Sequence, residues 1–462
     1  MYRCRIEGID KLHQYDELIK TFLPPTEYEL QGDGESAADA SGHQQVFAFE
    51  GDKNLLKRRL YKSLEEYTGK SPKWGIVTGI RPVKMAGELL KKTGDTQRVR
   101  GILEREFLLH PHKASLVMEI LQYQRETAGL PEDRSLSLYI GIPFCPTRCL
   151  YCSFTSNQVS KQEIDRYLKA LFKEMTFAGE AAAKEGWRIE SLYIGGGTPT
   201  TLDEGRLQHF LEQIRSSFDL TACREFTVEA GRPDTITREK LKIMRNAGAD
   251  RISINPQTMK EDTLRLIGRD HSIEDVRRAF SMAEKVAGDL TINTDLIAGL
   301  PEEDLSDFQK SLEEILALGP DNITLHTLAV KRASRLKEMD ELFNYREEEL
   351  REEMLAYAMK RLRSAGYRPY YLYRQKHTSG NTENLGFCRK DKISRYNIRI
   401  MEEAQSILAL GAGGVSKIYF PEENRLERVA NVSNYEIYIE RIDEMIERKA
   451  NGFFGNIGSR KL

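Results

Sequence analysis

LSLYIGIPFCPTRCLYCSF, residues 136–154, places three cysteines in a loop directly behind an apolar, strand-like run. Cys145, Cys149 and Cys152 have the spacing C-x3-C-x2-C. Three thiolates fit three corners of an iron–sulfur cubane and leave the fourth iron without a protein ligand, which suits a cluster that binds a small molecule as well as carrying electrons. Two other readings stand beside this one: a three-thiolate zinc site completed by a histidine, and three half-buried cysteines with no metal. Zinc motifs usually pair C-x2-C with a second pair at a distance, and no histidine lies near this loop in the sequence.

Outward from the loop, short β-rich runs alternate with longer amphipathic stretches. The strand candidates are 136–142, 191–195, 225–230, 251–255, 290–297 and 322–328, and each of the first five leads into a segment of helical length. Repeated strand–helix units with right-handed crossovers predict an α/β fold, a curved parallel sheet or barrel with its functional loops gathered after the strands' carboxyl ends. Residues 1–130 read as a small amino-terminal accessory domain of α+β type. Residues 131–340 read as the core, and 341–462, with the charged helix EEELREEMLAYAMKRLRSAG, the aromatic YRPYYLY and the glycine-rich GAGG, as a mixed carboxyl-terminal domain covering the substrate site. Residues 52–68 and 96–127 look helical, Gln31 to Gln45 reads as a polar loop, and WGIVTGIRP as a turn-containing connection.

The chain has 462 residues, 40% hydrophobic and 30% charged, with 69 basic and 71 acidic side chains. That composition belongs to an ordinary globular protein, and a net charge of -2 gives no whole-molecule field that would favour nucleic acid or an anionic membrane. There is no secretory-type leader in the first twenty residues and no apolar run of membrane-spanning length, so a cytoplasmic protein without membrane or nucleic-acid partners is expected. The remaining cysteines, Cys4, Cys223 and Cys388, are isolated and are assigned no role. GGGTPT, residues 195–200, follows the second strand and lets backbone groups approach a ligand closely, although a tight strand-to-helix turn explains the same residues. Glu229, Gln257 and Asp295 stand at or after strand ends and Arg269 lies in IGRD. As isolated residues they read equally well as turn formers and a solvated cation.

YIGIPFCPTRCLYCSF resembles the cluster loop of the radical S-adenosylmethionine (SAM) oxygen-independent coproporphyrinogen III dehydrogenase family, the HemZ-type branch in particular. The resemblance extends over about 135–420. It implies a partial (β/α)6 radical SAM barrel, a 4Fe-4S cluster on Cys145, Cys149 and Cys152, and SAM as second cofactor. Gly196, Gly197 and Thr198 then match the segment that contacts the methionine part of SAM. Tyr139, Glu229, Gln257, Arg269 and Asp295 match further cofactor-binding positions in chain order. Tyr139 and His326 are the expected catalytic positions, although His326 reads equally as a satisfied core histidine.

The implied reaction is the oxidative decarboxylation of coproporphyrinogen III to protoporphyrinogen IX through a 5'-deoxyadenosyl radical. A one-electron donor such as flavodoxin or ferredoxin would serve it, and the enzyme would act as a monomer. A substrate with four carboxylates calls for basic side chains, which Lys331, Arg332, Arg335 and Lys337 offer, though a solvated basic turn reads as well. Two departures bear on the substrate. Phe154 stands where the dehydrogenases of the family have a fourth cysteine, and ENLGFC, 383–388, lacks residue pairs usual in the related haem-chaperone branch. A haem-binding delivery protein and a radical SAM tetrapyrrole methyltransferase therefore stay open as alternatives. KRRLYK, 57–62, and WGIVTGIRP read either as a docking surface or, more simply, as a solvated helix and a core turn.

Overall fold

The computed structural model describes residues 1–33, 44–152, 156–286, 288–328, 348–374 and 382–455. Six parallel strands form its centre: β4 (Ser135–Ile142), β5 (Arg188–Gly196), β6 (Glu225–Gly231), β7 (Arg251–Ile254), β8 (Thr291–Ala298) and β9 (Asn322–Thr327). They pair in simple sequence order, each with the next. Helices Lys161–Lys184, Glu204–Ser217, Arg238–Asn246, Ile273–Val286 and Leu305–Leu318 return the chain between them. Ser160, Asp203, Thr237 and Asp304 cap four of those helices, each side-chain oxygen accepting from a backbone N–H in the first turn. Leu138, Ile140, Leu192, Ile194, Val228 and Ile252 are fully buried between sheet and helices, as strands covered by crossover helices must be.

The chain's last third joins this same sheet. β10 (Arg368–Arg374) and β11 (Glu383–Cys388) form an antiparallel pair beside β9, while β12 (Ser406–Leu410) lies parallel to β4 and carries β13 (Val415–Phe420) and β14 (Arg425–Ala430) outward. The result is an eleven-stranded open sheet edged by β10 and β14, with no pairing that closes it among the described residues. The partial barrel expected from the sequence is therefore present, and strands from 341–462 extend both of its sides.

Before the barrel, β1 (Tyr2–Glu7) pairs in parallel with β2 (Tyr28–Gln31) and β3 (Gln44–Ala48). The helix read at 52–68 is Lys53–Thr68, but the one read at 96–127 is two, Thr96–Arg105 and Pro111–Thr127. Leu108 at φ 57 and the proline opening the second helix turn the chain between them. A further helix, Pro82–Thr93, follows WGIVTGIRP. KRRLYK lies on Lys53–Thr68 with Lys57, Leu60 and Tyr61 buried, so it presents no continuous basic surface. Trp74 is 0% exposed and donates from Nε1 to Glu383 at 3.0 Å, which fastens WGIVTGIRP to β11. Phe154, Lys331, Arg332, Arg335, Lys337 and most of the polar loop 31–45 lie outside the described residues.

Candidate functional site

Near the carboxyl ends of β4, β5, β6, β8, β9 and β10, otherwise buried strands each leave one interior polar position partly open: Tyr139, Tyr193, Glu229, Asp295, His326 and Tyr373. Contacts among these side chains put them on a shared face of the sheet, and register puts Tyr139 directly beside Tyr193. Tyr193 donates to Glu229 Oε1 at 2.8 Å. His326 Nε2 lies 3.6 Å from Asp295 Oδ2, and its Nδ1 lies 3.2 Å from the Tyr373 hydroxyl. Burial pushes the Glu229 carboxyl up to about 7, against the lowering effect of Tyr193 and with a further rise from Asp295. Tyr139, Tyr193 and Tyr396 stack, with Tyr193 and Tyr396 ring centres 4.5 Å apart.

The glycine run docks onto the cysteine loop. Gly197 N–H donates to the Ile142 carbonyl at 2.8 Å and Thr198 N–H to the Phe144 carbonyl at 2.7 Å. A Cβ on Gly197 would stand 2.5 Å from Phe144 O, closer than real atoms approach, so the residue there must be glycine. Gly196, at φ +103, needs glycine for its backbone. Thr198 Oγ1 lies 3.5 Å from Cys145 Sγ.

Gln257 holds a left-handed backbone, φ 74, because its N–H donates to Asp295 O and its carbonyl accepts from Ile297 N–H. Its buried Oε1 has no hydrogen-bond partner, as an acceptor awaiting a ligand donor would. Arg269 donates from Nη1 to the Asn255 carbonyl at 2.5 Å and from Nη2 to the Tyr151 hydroxyl at 3.3 Å. The structure thus draws Tyr139, Gly196, Gly197, Thr198, Glu229, Gln257, Asp295 and His326 to one end of the barrel, with Arg269 seated against the cysteine loop itself.

Cys149 is buried, and burial pushes the Cys145 thiol up to about 11. A thiolate at Cys145 is therefore favoured by positive charge beside it, which a metal would supply. Among the described residues, the one group of three potential ligands with atoms all within 4.8 Å of one another is His13, Asp16 and Glu17, so the cysteine sulfurs are spread more widely. Thiolates around one tetrahedral zinc stand roughly 3.8 Å apart. Three thiolates in a C-x3-C-x2-C loop are a donor set suited to a cluster with one iron left open. In the group of His13, Asp16 and Glu17, the Lys20 ammonium already lies 2.5 Å from Asp16 and 3.6 Å from Glu17.

The family model of the radical SAM superfamily matches residues 139–315. The oxygen-independent coproporphyrinogen-III oxidase-like protein HemZ of Bacillus subtilis is 37% identical over 409 residues, 87% of this chain and 81% of its own. The chain belongs to the HemZ-type family of radical SAM proteins. Members of this superfamily use a 4Fe-4S cluster and SAM. The heme chaperone HemW of Bacillus subtilis is 38% identical over 200 residues, 42% of this chain and 51% of its own. Among solved structures, coproporphyrinogen III oxidase (HemN) from Escherichia coli aligns with a TM-score of 0.54 at 23% identity, covering 70% of this chain and 73% of that one. That likeness establishes the radical SAM fold.

Three residues at this end were not singled out from the sequence: Tyr193, Tyr373 and Tyr396. The signal for Tyr193 was present, because LYIG occurs twice, at 138–141 and 192–195, and the two copies pair in register. Tyr373 and Tyr396 arrive from the carboxyl-terminal third, through contacts that no local pattern announces. Among the described residues, no helix is long and apolar enough to cross a membrane.

Proposed function

We propose that this chain is a cytoplasmic radical SAM oxidoreductase of haem biosynthesis that converts coproporphyrinogen III to protoporphyrinogen IX. The observation that carries the reading is the ring of partly open polar positions, Tyr139, Tyr193, Glu229, Asp295, His326 and Tyr373, facing a common interior beside the cysteine loop. Membership of a family whose HemZ relative is named coproporphyrinogen-III oxidase-like supports the substrate class.

Cys145, Cys149 and Cys152 hold the cluster and leave one iron for SAM. Gly196, Gly197 and Thr198 would present backbone to the methionine end of SAM, Glu229 and Asp295 would accept from its ammonium and from ribose hydroxyls, and Gln257 Oε1 would accept a further donor. Arg269 anchors the loop and offers positive charge near the carboxylate end. When bound, the cofactors would supply a radical able to remove a hydrogen atom from a propionate arm, which would then lose carbon dioxide and pass one electron to a one-electron acceptor, leaving a vinyl group. Tyr139 forms the floor of this interior, and His326, held between Asp295 and Tyr373, faces the tetrapyrrole. A flavodoxin- or ferredoxin-like protein delivers the electron, and the chain acts as a monomer.

Similarity to heme chaperones over 200 and 296 residues favours one second reading, haem delivery without turnover. Anaerobic incubation with SAM, a reductant and coproporphyrinogen III, followed by porphyrin chromatography, separates the two. The proposal expects loss of two carboxyl groups from the porphyrin. Absent turnover with tight, stoichiometric haemin binding would replace it with the delivery reading.

A further inference from the structure

Two buried guanidinium groups brace the cysteine loop from behind, one for each of its halves. Arg232, 3% exposed, donates from Nη1 to Thr147 Oγ1 at 2.7 Å, and Thr147 in turn donates to the Gly268 carbonyl at 2.8 Å. Thr147 stands between Cys145 and Cys149. Arg269, 8% exposed, reaches Tyr151, which stands between Cys149 and Cys152. Leu150 N–H donating to the Ile267 carbonyl at 2.9 Å completes the fastening.

Arg232 is aimed at the loop by a bend at the end of β6. Register with β7 is irregular between Val228 and Gly231, Gly231 has φ +49, and Arg232 N–H donates to the Ala230 carbonyl at 2.5 Å. The carboxylate of Asp234 is its counter-ion, accepting from Nε at 3.0 Å and from Nη2 at 3.3 Å. His271, 2% exposed, lies 3.8 Å from Asp234. Burial, then Arg269 and Arg232, hold it down to about 3, so it is neutral and adds no charge near neutral pH. An arginine stays protonated even when buried, and a fixed charge in low dielectric acts over a longer range than one in water.

We propose that Arg232 is a positioning residue that sets the reduction potential of the cluster, its buried cation favouring the added electron and Asp234 acting as the counterweight. The proposal rests on the reading of Cys145, Cys149 and Cys152 as cluster ligands. Charge and hydrogen bonds around an iron–sulfur cluster are established levers on its potential. Reduction adds one negative charge, so removing a nearby cation makes it harder and removing a nearby anion makes it easier.

The test is an anaerobic redox titration of the reconstituted full chain, followed by electron paramagnetic resonance, after iron and sulfide content has been measured for each variant. Arg232→Gln is expected to keep its iron and titrate at more negative potential. At the poise that half-reduces the wild type, the ratio of reduced to oxidised cluster is expected to fall roughly tenfold, equivalent to about 59 mV for one electron. Asp234→Asn moves the midpoint the opposite way, and Arg232→Lys and Thr147→Val, which retain the charge, move it less than Arg232→Gln. If Arg232→Gln loses the cluster, Asp234→Asn still decides the matter: a midpoint at more positive potential than wild type supports the proposal, and one unchanged or more negative overturns it. Midpoints unchanged in fully loaded Arg232→Gln and Asp234→Asn, or displaced in the same direction in both, overturn the proposal. A wild-type chain that takes up no iron and sulfide overturns the cluster reading, and this proposal with it.

Discussion

At the scale of single residues, Glu229 shows how neighbours shape a site. Gly195 has no side chain at the point where a Cβ would stand 2.5 Å from Glu229 Oε2, and Tyr193 holds the other oxygen. Burial raises the carboxyl from 4.5 to about 7. A raised carboxyl binds its proton more tightly folded than unfolded, so its contribution to stability is full below about 4.5 and is lost as pH rises through about 7. Glu229→Gln should therefore flatten the fall in denaturant-measured stability between those two pH values, and an unchanged slope would place the carboxyl in solvent. Glu229 and Asp295 were legible as acids at strand ends. Tyr193 and Tyr373 were not, because tyrosine is an ordinary strand former and nothing local separates a lining ring from a packing one.

At the scale of elements, the central strands were readable because their apolar runs are short, rich in β-branched residues and separated by helix-length amphipathic segments. The observed β4 to β9 differ from the expected strands by at most three residues at either end. The break between Thr96–Arg105 and Pro111–Thr127 was marked by its proline and went unread because the apolar periodicity continues across it. Close approach between elements was invisible for a different reason: it depends on what lies opposite. Gly197 is the instructive case, since its α-hydrogen faces the Phe144 and Ile142 carbonyls of the cysteine loop. Gly197→Ala should force that loop outward and lower both iron content after reconstitution and melting temperature. Gly69→Ala, at φ +70 with open space around it, should cost about 1 kcal/mol and leave iron content unchanged. Equal iron content in Gly197→Ala and wild type would contradict the docking described for the glycine run.

At the scale of the whole molecule, the sequence suggested three consecutive blocks, and pairing between distant segments joins strands of the second and third in one eleven-stranded sheet. β12 beside β4 joins residues some 270 apart, and such contacts leave no periodic trace in either segment. The amino-terminal third is tied in through Trp74, whose Nε1 holds Glu383 while Arg374 lies over its ring at 5.2 Å and Lys113 reaches the same carboxylate at 2.5 Å. Trp74→Ala should cost roughly 3–5 kcal/mol and expose the β10 and β11 amides, which adjoin Tyr373 and His326, to faster hydrogen exchange. Wild-type exchange there would show that the two regions are not coupled.

The most direct examination of the account is the metal content and resonance spectrum of the anaerobically reconstituted, reduced chain, with and without SAM. About four irons and four sulfides per chain are expected, with a signal that changes when SAM is added and is lost in Cys149→Ala. Zinc in place of iron, or a cluster signal indifferent to SAM, would contradict it.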